Sequence, residues 1–123
     1  MTENFSQQDE QLDRASLLER VEGDQELLAE IIHLFREDVP ELLDAMRNAL
    51  QQGDMTSLER SAHSMKGAAG NLSAHVAVGA AVRLEQSAKN GNAESSKANL
   101  AALQVAVDRL LPALAELCLE VPK

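Results

Sequence analysis

Residues 58–74, LERSAHSMKGAAGNLSA, separate into an apolar and a polar side only when the stretch is wound as an α-helix. At about 100° per residue, with His63 set at zero, Leu58, Met65, Ala69 and Leu72 gather between about 180° and about 240°. Lys66 falls near about −60°, Glu59 near about −40°, Gly70 near about −20° and Gly67 near about +40°. The apolar stripe must turn toward other helices, so His63 turns toward solvent, the wrong side for a core histidine. Two glycines then stand on the outward face, each costing about 1 kcal/mol relative to Ala. A helix that only packs gains little from them. One whose histidine must be approached closely gains a shallow platform.

The same reading extends in both directions. Upstream, Asp54 is placed to cap this helix, and Gly53 stops the one before it. That preceding helix is expected to open at Pro40, where the first turn tolerates proline, and to run through Leu42, Leu43, Met46 and Leu50. Asp24 caps a helix through Val39 with apolar positions Leu27, Leu28, Ile31, Leu34 and Phe35. A short first helix spans Leu12 to about Val21 and ends at Gly23. Downstream, Asn71–Ser73 reads as a turn, with Ser73 capping a helix from about Ala74 to Lys89. Asn90-Gly91-Asn92 is the clearest break. A last helix from Ala93 carries Leu100, Leu103, Val107, Leu110, Leu111 and Leu114, and Pro112 is expected to kink it by removing the bond to the Asp108 carbonyl. Short connections favour antiparallel neighbours. The expected fold is all-α: an antiparallel up-and-down four-helix bundle with an additional short N-terminal helix. Residues 1–11 are expected to be a flexible N-terminus and 12–120 the bundle domain.

Composition agrees. The 123 residues are 45% hydrophobic yet include only two Phe and no Trp or Tyr. Such a core is built from aliphatic side chains, and the aromatic residues that enrich strands are scarce. The formal charge of −9 repels phosphate backbones and anionic lipid, which argues against nucleic-acid or membrane partners. No apolar run approaches the roughly 20 residues of a membrane span, and the N-terminus lacks a signal peptide's apolar core, so a cytoplasmic protein is expected. Lone Cys118 lies in an apolar stretch and reads as a small buried hydrophobe. His33 and His75 read as surface or helix-end residues. Glu30 and His33 have the Glu-x-x-His spacing of di-iron bundles, but no second copy exists, so no metal site is expected. Nothing suggests a nucleotide-binding loop or a hydrolytic triad.

The chemistry that remains is that of an exposed imidazole. It keeps a lone pair for attack on phosphorus near neutral pH, and the phosphoramidate formed is reactive enough to give the group up again. Lys66, one turn away, supplies a cation for an anion placed on His63. Glu59 reads as a solvated helix residue.

His63-Ser64-Met65-Lys66-Gly67-Ala68-Ala69-Gly70-Asn71-Leu72 resembles the signature of the histidine phosphotransfer (Hpt) domains of bacterial phosphorelays, with Lys three and Gly four residues after the histidine. The resemblance covers about residues 20–90, including the Leu84-Glu85 pair. It departs at Ser73, where the family usually has Gly. It implies a four-helix bundle phosphorylated on Nε2 of His63, with Lys66 and Gly67 in the site and Gly70 supporting it. It places Glu85 where a Gln or Glu bonds the imidazole Nδ1, and Lys89 one turn on as further positive charge. Response-regulator receiver domains and a hybrid sensor kinase are the implied partners. The receiver supplies the acceptor aspartate and the Mg²⁺, and the carrier has no cofactor and no kinase activity of its own. Whether the chain is free-standing or cut from a hybrid kinase stays open; a monomer is expected. Two alternatives remain: the N-terminal phosphoacceptor domain of a chemotaxis-type kinase, and an Hpt-like adaptor that binds receivers without transfer. Receiver docking is expected on an apolar patch beside His63, with Leu12 and Ala15 of the first helix and the helix of Phe35 as candidates.

Overall fold

A computed structural model describes residues 11–120, so the stretch 1–11 expected to be a flexible N-terminus lies outside the described part except for Gln11, which is buried. Among the described residues there are five helices and no strand: α1 (Arg14–Arg20), α2 (Gln25–Gln52), α3 (Met55–Asn71), α4 (His75–Lys89) and α5 (Ala93–Glu120). The four long helices close a ring, α2 on α3, α3 on α4, α4 on α5 and α5 back on α2. This is the bundle with a short N-terminal helix that the periodicity predicts. Turns of two or three residues join the long helices and return the chain antiparallel.

The helix starts are chemically specified. Carboxylates of Asp13, Asp24 and Asp54 accept the backbone N–H of Ser16, Leu27 and Ser57, and Asn92 Oδ1 accepts that of Ser95. Gly53 ends α2 with φ 72°, a left-handed conformation that costs glycine nothing.

The break expected at Pro40 is absent, because α2 is one 28-residue helix with Pro40 inside it. Its buried positions Leu28, Ile32, Phe35, Val39, Leu43 and Met46 keep helical phase across the proline. Pro40 is exposed, as is Arg36, whose carbonyl loses its partner on the solvent side. Packing of a continuous stripe therefore outweighs the missing bond. That stripe also corrects the expected face: Leu27 and Leu34 are exposed, and Ile32 and Val39 are buried. Pro112 lies likewise on an exposed face of α5, which continues through it.

Ser73 does not cap α4. Ala74 holds the cap position and contributes no side-chain bond. Ser73 instead closes α3, with φ 55°. Its N–H donates to the Gly70 carbonyl and that of Ala74 to the Ala69 carbonyl, the pattern that favours glycine at the left-handed residue. The departure from the family's Gly therefore falls where a side chain is strained. Buried Ser73 Oγ donates to Ser16 Oγ at 3.0 Å, and its carbonyl accepts from Asp13 N, tying α1 to the α3–α4 turn.

The core is aliphatic. Met46 from α2, Leu58 and Met65 from α3, Leu84 from α4 and Leu103, Leu110 and Leu114 from α5 are fully buried. The α4 contribution is otherwise mostly alanine (Ala77, Ala80, Ala81 and Ala88), and small side chains there let α3 and α5 come close. This close approach sets the distance between the outward edges of α3 and α4.

Candidate functional site

On α3 the buried residues are Leu58, Ala62, Met65 and Ala69, which leaves His63 on the opposite face with 66% of its side chain exposed. Glu85 projects from α4 beside it. One carboxylate oxygen, Oε2, is 2.9 Å from His63 Nδ1, and the other, Oε1, is 3.0 Å from Lys66 Nζ. A single carboxylate thus bridges two α3 side chains one turn apart. The Lys66 ammonium first, and His63 second, hold the Glu85 carboxyl below the usual carboxylate range, against partial desolvation. An ionised carboxylate only accepts, so His63 Nδ1 donates the proton between them. In the neutral ring the lone pair then belongs to Nε2. The arrangement offers an exposed nitrogen nucleophile whose tautomer and ring orientation are set by a neighbouring helix.

The other expected site residues fall into place unevenly. Lys66 contacts Glu85 and is one-third exposed. Gly67 is open: a Cβ built there meets nothing within 4 Å. Gly70 is half-buried, and a Cβ there meets Val78 Cγ2 of α4 at 4.0 Å, so it lies at the helix contact as well as near the site. Lys89 is exposed in the last turn of α4 and takes no part in the contacts around His63. A groove beside the imidazole is lined by Thr56, Glu59, Arg60, His63, Ser64 and Glu85. Thr56, Arg60 and Ser64 were not among the expected site residues. The signal for two of them lies in helix geometry: side chains lean toward the N-terminus, so His63 overlies the turn that precedes it.

Elsewhere, His33 pairs with Glu37 at 3.1 Å and His75 with Asp13 at 3.4 Å, all on the surface. No three metal-ligating side chains converge among the described residues. Cys118 is half-buried against the core. No described helix is long and apolar enough to cross a membrane. Of the docking candidates, Leu12 is a core residue and Ala15 is exposed, while the exposed part of the helix that contains Phe35 includes Leu27 and Leu34. Leu12 is drawn inward because the start of α1 is tied down at Ser73.

A protein-family model described as the Hpt domain matches residues 30–116, well over half of the chain and inclusive of His63, Lys66 and Glu85. Comparisons with curated proteins and with solved structures gave no match.

Proposed function

The chain belongs to the Hpt-domain family, whose members carry phosphoryl groups on histidine in phosphorelays and bind response-regulator receivers, and from that premise we propose that His63 is its phosphoryl carrier. The observation that carries the reading is the exposed imidazole with Nδ1 held at 2.9 Å by Glu85, which leaves the Nε2 lone pair for attack.

In the incoming step Nε2 attacks the phosphorus of a receiver's aspartyl phosphate. The N–P bond forms as the P–O bond to the aspartate breaks, and the aspartate leaves as a carboxylate with the electron pair. The proton stays on Nδ1, and the Glu85 carboxylate offsets the positive charge that grows on the ring. The outgoing step to a second receiver reverses these events. Lys66 serves by fixing Glu85, Gly67 leaves the approach clear, and Gly70 keeps α3 and α4 close behind the site. Lys89 contributes positive potential at longer range. Mg²⁺ and the acidic pocket come with the receiver, and this chain needs no kinase machinery of its own.

Incubation with a phosphorylated receiver should give acid-labile, base-stable label on the wild-type chain and none on His63→Gln. Equal labelling of the variant would sink the assignment.

A further inference from the structure

The most obvious cation near His63 is already engaged. Lys66 Nζ lies 3.0 Å from Glu85 Oε1, so the ammonium and the carboxylate largely offset each other. A phosphoryl group on Nε2 adds close to two negative charges. It does so beside Glu85 and beside Glu59, which lines the same groove. A cation not already bonded to a carboxylate is needed there.

Arg60 meets that need. It precedes His63 by three residues, nearly one turn, and lines the groove that the imidazole overlies. It is exposed, and it forms no ion pair with any of the described residues. Asp54, the cap residue before α3, feels the Arg60 charge through space, but its carboxylate is bonded to the N–H and the hydroxyl of Ser57. A planar guanidinium matches two phosphoryl oxygens at once, which a lysine ammonium does not. The hydroxyls of Thr56 and Ser64 flank the same groove and can donate to the third oxygen. We propose that Arg60, rather than Lys66, is the residue that holds the phosphoryl group on His63, an assignment that rests on His63 being the carrier. It acts on the phosphoryl group directly, after the group arrives.

The test uses the full chain and potassium phosphoramidate, a small donor whose own N–P bond breaks with loss of ammonia as the bond to His63 forms. The ³¹P resonance of the phosphohistidine is then followed against pH. In Arg60→Gln the second phosphoryl ionisation should move up by roughly 0.2–0.7 pH unit, the scale of one exposed ion pair. Arg60→Lys should recover only part of that change, and Lys66→Gln should move it less than Arg60→Gln. Thermal melts should be alike for wild type and the Arg60 variants, because Arg60 is on the surface. Identical titrations for wild type and Arg60→Gln, or a larger change in Lys66→Gln, overturn the assignment while leaving His63 as carrier. A wild-type chain that shows no phosphohistidine resonance overturns both.

Discussion

At the scale of single residues, the site depends on one carboxylate serving two neighbours. Glu85 accepts from His63 Nδ1 and from Lys66 Nζ, so it sets the tautomer of the first and consumes the charge of the second. Gly67 separates packing from function more cleanly than any other position. Open space surrounds it, so Gly67→Ala should be accommodated and should raise helix stability by up to about 1 kcal/mol. On the proposed reading, the added methyl stands where a receiver approaches. Gly67→Ala should therefore slow transfer from a phosphorylated receiver several-fold more than it slows labelling by a small donor such as phosphoramidate. Denaturant titration and the two labelling rates together check this. Equal slowing with both donors would mean that the glycine acts on the imidazole and not on the partner's approach.

At the scale of elements, two helices carry residues that local preference disfavours. Pro40 sits inside α2 without breaking it, because both the proline and the carbonyl it leaves unbonded face water while the stripe from Leu28 to Met46 stays packed. A proline inside a helix costs about 3 kcal/mol relative to Ala, but it also restricts the unfolded chain, which returns up to about 1 kcal/mol. Pro40→Ala should thus stabilise the protein by roughly 1–2 kcal/mol, seen as a higher urea midpoint at unchanged slope. A lower midpoint would show that α2 needs a bend there. Ser73 is the second case, a left-handed residue at the end of α3 whose strain is offset by its bond to Ser16 and by the anchoring of α1.

At the scale of the whole molecule, a ring of four helices leaves its carboxylates on the surface, and three of them are tuned by folding. Hydrogen bonds from the Ser16 N–H to Asp13 and from Ser57 to Asp54, and the Lys66 contact to Glu85, hold all three carboxyls below their ordinary values. Groups lowered in the folded state stabilise it fully above the unfolded carboxylate range. That stability is lost as pH falls through the lower, folded values. The melting temperature should therefore drop on acidification from about pH 6 toward about pH 3. Asp54→Asn should melt lower than wild type near neutrality and lose less on the way down, measured by circular dichroism across that range. Parallel curves for the two proteins would remove Asp54 from the account.

Helix existence, most helix ends and the outward direction of His63 follow from the sequence alone, because capping, turn chemistry and a period of 3.6 residues act within one or two turns. The aliphatic composition settles the all-helical class for the same reason. What tertiary structure decided is who stands opposite whom. A helical wheel gives an angle about one axis and says nothing of which helix lies at that angle or how near. It cannot tell that α4 brings Glu85 to both His63 and Lys66, that Gly70 meets Val78, or that Leu12 is pulled into the core. The break expected at Pro40 and the face expected around Leu27 and Leu34 failed for a related reason. Both were judged by local preference, and the long stripe packed on α3 and α5 outweighs it. His63 is therefore readable as an exposed nucleophile from its own helix. Its tautomer, and the engagement of Lys66, exist only where two helices meet.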